Sequence, residues 1–400
     1  MLIKRLNYAS EFFLYLLIYA ITFSNAFTEV CVGWIIGLFL IKRIIAKDAS
    51  IPKSALNYIV LAYFLVILFS YLGSAFPKQS SRGFLKILKF SFLYLALLDF
   101  FRYDKKVFIR FFWAIIIVSA FTFLNGIFQG IFGFDILKHK ELIHLDYLKR
   151  LSASFVHPND FGAYIISLLP LTFAFFYSRL PRPRRIALIA VALLGSYCLM
   201  KTSSRSAWLG LLVGVIIYFM VYRKKAAVIV PSLFLFLIFI FPHGVSRVLS
   251  LFSREQNTVW ERMQLWQGTW SMIKEHPFLG FGINTYSNYF PRFKPPEYFS
   301  LAYTHNCYLQ MWSETGIIGL AVFLALIITV FVITGRNLKR KVKSGLEGYI
   351  LLGLICGYLA YLVQAGFDTN LYSLVLVTLF WVMTAALVAL NKFLQENPDA

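Results

Sequence analysis

Charge is scarce in this chain. Only 14% of its 400 residues are Asp, Glu, Lys or Arg, against about 25% in an ordinary soluble domain. The polar surface that keeps a globular enzyme in water is missing, so a soluble fold is excluded. With 59% of residues apolar, a disordered chain is excluded as well. Cysteine is rare too. Cys31, Cys198, Cys307 and Cys356 lie in or beside apolar runs at no metal-ligand spacing, so neither a disulfide scaffold nor a zinc site is expected. Acids are fewer than bases, 18 against 39, for a net charge of +21. There is no repeat of 20–50 residues and no low-complexity stretch. No inverted repeat of broken helices, the mark of many secondary transporters, is visible.

What the chain has is apolar length. A membrane-spanning helix takes ~20 mostly apolar residues. Twelve such runs lie at about 11–27, 28–45, 56–76, 83–101, 107–130, 158–178, 186–201, 206–222, 227–245, 305–335, 347–367 and 371–391. They predict an all-α polytopic membrane protein with about 12 transmembrane helices. The first run is not read as a cleavable signal peptide, because a second follows at once with no small-residue cleavage site between them. The expected division is helices 1–9 within 1–245, including a short loop at 131–157; a long loop at 246–304; and helices 10–12 within 305–400.

The positive charge is first an orientation signal. If Lys4 and Arg5 are cytoplasmic, 22 of the 39 bases and seven acids fall on the inner side, a net of +15. The outer side holds 14 bases and 11 acids, a net of +3. Lys86, Lys89 and Arg110 sit inside the runs and supply the remaining three charges. Lys and Arg in short cytoplasmic loops are what the positive-inside rule requires, so both termini are expected inside and both long loops outside. Nucleic-acid binding is set aside, since most of the charge lies in short inner turns.

Chemistry is then sought at the outer face. The 246–304 loop is too long for a simple connection, yet its Trp260, Trp266, Trp270 and many Phe and Tyr argue against disorder. Thr258-Val-Trp-Glu261 reads as a capping box opening a helix to about Glu275, which His276-Pro277 ends. Trp266 and Trp270 share a face of it, as in a helix at the lipid–water interface. Thr304 is read as the N-cap of the next helix, with His305 in its first turn. There the helix dipole disfavours imidazolium and keeps a ring able to accept a proton. The plainer alternative is an interfacial histidine bonded to water. Arg205, in the tight turn Lys201-Thr-Ser-Ser-Arg205, could fork onto phosphate oxygens or snorkel to lipid headgroups. Arg82, Lys86 and Lys89 line one face of the fourth run and suit either an anionic ligand or a structural ion pair, though no acid lies within the same turns. Arg150 closes the shorter loop before His157-Pro158, where Pro158 reads as the first residue of a helix and His157 as structural. Asp368 stands in the turn between the last two runs. No Asp-x-Asp pair lies on this side, which disfavours a metal-bound nucleotide-sugar mechanism.

At these residues the chain resembles the O-antigen ligases and the related Wzy-type polymerases. The resemblance rests on Arg150-Leu-Ser-Ala-Ser-Phe-Val-His-Pro-Asn159, Ser203-Ser-Arg205-Ser-Ala-Trp208, Trp260-Glu-Arg262, His276-Pro-Phe-Leu-Gly-Phe-Gly282, Thr304-His-Asn-Cys-Tyr-Leu-Gln310 and Glu314-Thr-Gly-Ile-Ile-Gly319. It implies a GT-C-type, metal-independent, inverting glycosyltransferase without a cofactor, carrying short helices in its long periplasmic loop. The implied location is the bacterial inner membrane, with the active site facing the periplasm. The implied partners are a glycan donor on undecaprenyl pyrophosphate, a lipid A core acceptor and membrane lipids. By position Arg205 and Arg262 resemble the arginines that bind the pyrophosphate, His305 the proposed general base, Asp368 an acid before the last span and Arg150 an arginine before the sixth. With Arg82, Lys86 and Lys89 these are the candidate site residues. A Wzy-type polymerase and a flippase of lipid-linked sugars are the alternatives.

Overall fold

The computed structural model describes residues 2–48, 50–102, 106–145, 148–223, 258–293 and 303–397, with positions 228 and 232. Five long helices come first: α1 (Leu2–Ala20), α2 (Asn25–Ala46), α3 (Ala55–Leu72), α4 (Pro77–Phe101) and α5 (Val107–Phe132). A two-stranded antiparallel hairpin follows, β1 (Ile143–Leu145) and β2 (Leu148–Arg150). Then come α6 (Pro158–Leu168) with a 3-10 continuation at Leu169–Phe176, α7 (Arg182–Thr202) and α8 (Arg205–Tyr222). Beyond the long loop's first half lie α9 (Thr258–Glu275), α10 (Tyr286–Tyr289), α11 (Cys307–Gly335), α12 (Leu338–Ser344), α13 (Leu346–Ala365) and α14 (Leu374–Glu396). Eight of these segments are long and apolar enough to cross a membrane. The protein is an all-α polytopic membrane protein.

Eleven of the twelve apolar runs are therefore helical, and the run at 227–245 lies outside the described residues. Two expectations need correction. The sixth run is α-helical only to Leu168, because Pro170 has no N–H to continue the ladder and the segment tightens to 3-10. The tenth run is one 29-residue helix, but it is broken within: Gly316 has φ 66°, ψ −179°, a backbone region essentially confined to glycine.

Helix α14 is buried along almost its whole length and α13 packs beside it at the centre. In lipid there is no water to expel between helices, so close van der Waals fit holds them together. Small residues supply that fit here. A Cβ on Gly210 of α8 would stand 2.5 Å from the Ala360 carbonyl, and one on Gly357 of α13 would stand 1.9 Å from that of Ser167. Partly buried charged groups also pair across helices. Arg110 of α5 grips Glu11 of α1 through Nε (2.5 Å) and Nη2 (3.1 Å), while Lys42 and Arg43 of α2 share Asp99 of α4. All four cysteines are free and buried.

Candidate functional site

His305 is held by the start of α11. The side-chain oxygen of Asn306 accepts from the amides of Tyr308 and Leu309, both at 3.0 Å. Asn306 is therefore the N-cap, and the expectation that Thr304 caps the helix is corrected. Thr304 instead ties the approach. Its hydroxyl accepts from the Asn306 amide (2.9 Å) and donates to the Asn306 carbonyl (2.7 Å), and its own carbonyl accepts from Trp266 Nε1 of α9 (2.9 Å). Between two fixed residues, His305 is bent into left-handed backbone at φ 50°, uncommon away from glycine. It stands ahead of the helix, not in its first turn, so the dipole argument loses its first-turn geometry.

Its neighbour is instead a carboxylate. Asp368, in the turn joining α13 to α14, is 5% exposed. Its Oδ1 accepts from the Thr369 amide at 2.9 Å and lies 3.5 Å from His305 Nδ1. That separation suits an ion pair and is too long for a hydrogen bond. Among the described residues His305 Nδ1 and Asp368 Oδ2 have no hydrogen-bond partner, so the pair is close but not yet engaged. Cys307 Sγ donates to the Asp368 carbonyl (3.1 Å), fixing the turn against the start of α11. Burial pushes the Asp368 carboxyl up, but His305 and the Arg262 guanidinium outweigh it and hold it below its ordinary value. Arg262, on the first turns of α9, is thereby within electrostatic reach of Asp368.

His157 and Arg150 adjoin the pair but face inward. His157 Nδ1 accepts from the Asn159 amide at 3.2 Å and caps α6, with Pro158 as its first residue. Burial, then the charge of Arg150, lowers its pKa to about 4, although Asp368 pulls the other way. Arg150 is 7% exposed. Its Nε donates to the Thr202 carbonyl (2.7 Å) and its Nη2 to Asn159 Oδ1 (2.8 Å). It braces the turn from which the partly exposed Arg205 opens α8. The lysines of α4 have partners of their own. Lys89 pairs with Glu29 of α2 at 2.5 Å, an acid that inspection of α4 alone could not offer. Lys86 donates to the Tyr372 carbonyl at 3.2 Å, and Arg82 is exposed.

A cleft of about 410 Å³ opens beside the pair, lined by Ser24, Asn25, Lys138, Asp160, Tyr303 and Thr369 among others. Thr369 follows Asp368, and Tyr303 lies two residues before His305, so the cleft is lined by chain neighbours of both members of the pair. The Asp160 carboxylate, on the first turn of α6, has no hydrogen bond or ion pair among the described residues. Carboxylate, amide, hydroxyl and aromatic groups on one concave wall form a surface for a polyhydroxylated ligand.

Glu314 opens one of the motifs quoted from the sequence, where it has no assigned role, and it organises the rest. Buried at 1% exposure, it accepts from the amides of Asn284 (3.1 Å) and Tyr286 (3.2 Å). Around it the main chain of α11 opens at Gly316 and bonds to the 277–282 loop. The Phe281 amide donates to Ser313 O (3.0 Å), that of Gly282 to Glu314 O (2.8 Å) and that of Ile317 to Pro277 O (2.9 Å). The two motifs His276–Gly282 and Glu314–Gly319 are thus halves of one joint. Only the unusual density of glycine in both could have signalled it.

These features define a class: polytopic α-helical membrane proteins with a histidine–carboxylate pair and basic side chains gathered at one end of the bundle. Residues 189–324 match the family model described as O-Antigen ligase. A curated protein of Acinetobacter baylyi, described as a ComP-specific O-oligosaccharyltransferase, is 23% identical over 358 residues. The alignment covers 82% of this chain and 61% of that protein, so this chain spans less than two thirds of the relative's length. Arg205, Arg262 and His305 fall within the matched domain; Arg150 and Asp368 lie outside it.

Proposed function

We propose that this protein is an O-antigen ligase. It moves a glycan from undecaprenyl pyrophosphate to a hydroxyl of the lipid A core at the periplasmic face of the inner membrane, by inverting transfer without a metal. The observation that carries this reading is the His305–Asp368 pair, 3.5 Å apart, within electrostatic reach of Arg262 and next in sequence to residues that line a cleft.

Asp368 faces Nδ1 of His305, which leaves Nε2 as the nitrogen that takes the acceptor proton. The acceptor oxygen attacks the anomeric carbon as the bond to pyrophosphate breaks, and attack opposite the leaving group inverts the centre. A positioned base contributes ~10²–10⁴-fold. Pyrophosphate leaves with the bonding electrons, and its growing charge is met by Arg262 and Arg205 in a site poor in water, where such contacts are worth several kcal/mol. The cleft beside Asp160 holds a sugar ring next to the reacting atoms.

Deleting the gene and resolving lipopolysaccharide on a gel tests this. Bare core with polymer stranded on its carrier is the ligase outcome; core bearing one repeat would make it a polymerase and overturn the proposal. The name of the Acinetobacter relative favours one second reading, in which the acceptor hydroxyl belongs to a protein. Unchanged lipopolysaccharide with loss of a glycoprotein band is its signature.

A further inference from the structure

At the end of the bundle opposite His305, four helix ends converge on a second cavity of about 350 Å³. Lys53 lies just before α3, Arg102 at the end of α4, Arg336 at the end of α11 and Lys392 near the end of α14. All four line the cavity, with Glu396 as its one carboxylate. Lys392 lies 3.8 Å from Glu396. Lys53, Arg102 and Arg336 are exposed, and none has an ion pair or hydrogen bond from its side chain among the described residues. Four cations against one acid leave a net of +3 in a space that would hold one phosphate group.

A soluble anion would need only this much, but the cavity does not end there. Lys53, Ser54 and Ala55 also form one wall of an adjoining groove of about 750 Å³ between α3 and α4. The groove is apolar, walled by Tyr58, Leu61, Phe64, Leu88, Phe92 and Leu95. Its residues run from the start of α3 to Phe64 and along α4 from Leu95 back to Leu88, so it extends from the charged cavity to about the middle of both helices, the depth a lipid tail occupies. Charge at the mouth and a hydrocarbon channel behind it are complementary to one amphiphile.

We infer that this end of the bundle binds an anionic glycerophospholipid, its phosphate among Lys53, Arg102 and Arg336 and one acyl chain between α3 and α4. The site is independent of the transfer reaction. Basic pockets between helix ends attract anionic headgroups by about 1 kcal/mol per cation, roughly fivefold each.

The full chain, purified in detergent, is titrated with phosphatidylglycerol or phosphatidylcholine and bound lipid is counted by native mass spectrometry. Phosphatidylglycerol is expected to bind at least roughly tenfold more tightly. The triple variant Lys53→Gln/Arg102→Gln/Arg336→Gln brings it to the phosphatidylcholine level. Should the triple variant not fold, each single variant loses roughly fivefold. Leu61→Trp, which fills the groove, weakens binding of both lipids. Equal affinity for the two lipids, or wild-type binding in the charge variants, overturns the inference. Displacement of the lipid by an equal concentration of inorganic phosphate also overturns it, since the site would then be a plain anion site with no use for the groove.

Discussion

In the proposed reaction, proton transfer to His305 calls for a ring held in one orientation, and the carboxylate placed to hold it, 3.5 Å from Nδ1, lies outside the matched region. His305→Ala is expected to cut glycan transfer by ~10²–10⁴-fold while leaving expression and detergent solubility unchanged. Asp368→Asn keeps the size of the side chain and loses its charge; it is expected to lower kcat more than it raises KM. Both are read with purified protein, lipid-linked donor and acceptor, and wild-type rates in both variants would dissolve the site. Asp160→Asn is expected to raise the KM for one sugar-bearing substrate with kcat little changed. Which substrate responds says whose sugar occupies the cleft. His157 makes a separate prediction about stability. Its folded pKa of about 4 lies below the 6.5 of a free imidazole, so the unfolded chain binds the extra proton between these values. Stability is then complete above pH 6.5 and lost as pH falls toward 4, by up to about 3 kcal/mol. Thermal denaturation in detergent should show that decline, and His157→Gln should flatten it. At this scale the sequence names candidate residues but not their partners. Glu29 is 60 positions from Lys89, and Asn306 competed with Thr304 for one cap. The closeness of Asp368 to His305 is set by a turn 63 residues further along.

The helices were legible because lipid enforces one solution: every backbone group must be paired within its own segment, so apolar length alone reveals them. What breaks them was less legible. Pro170 was visible and does end the α-helical part of its segment. Gly316 gave no sign of its role, because its φ/ψ makes sense only once the 277–282 loop supplies the missing bonds. The contrast is testable by folded yield on size-exclusion chromatography. A Cβ on Gly316 would stand 2.0 Å from the Phe278 carbonyl, whereas one on Gly33 or Gly37 of α2 meets nothing within 4 Å. Gly316→Ala should cost at least 1–3 kcal/mol from its backbone alone and lose most of the folded protein. Gly33→Ala and Gly37→Ala should behave as wild type.

For the molecule as a whole, the uneven charge predicts a direction across the membrane. With +15 on one side and +3 on the other, the hairpin, α9 and His305 are expected to face the periplasm. The native cysteines are buried, so a cysteine introduced at exposed Ser287 or Lys339 reports alone. A membrane-impermeant maleimide applied to intact spheroplasts should label Ser287→Cys and spare Lys339→Cys. The reverse pattern would invert the protein and remove the periplasmic site. Sequence made this asymmetry plain but hid one use of it. Lys53, Arg102 and Arg336 are more than two hundred positions apart at the extremes and read as ordinary inner-turn cations until folding gathers them.

The joint around Glu314 also sets a schedule for biogenesis. Ser70 Oγ accepts from the Ile283 amide (2.9 Å) and Ser80 Oγ donates to the Ile283 carbonyl (2.9 Å), across more than two hundred residues of sequence. The ribosome makes α3 and α4 early, so these hydroxyls wait through the synthesis of α5 to α9 for their partner. The loop in turn waits for Ser313, Glu314 and Ile317 of α11. His305 therefore acquires its surroundings among the last events of assembly. A chain stalled or truncated before α11 enters the membrane would carry α1 to α9 without His305 or the bonds that close the joint.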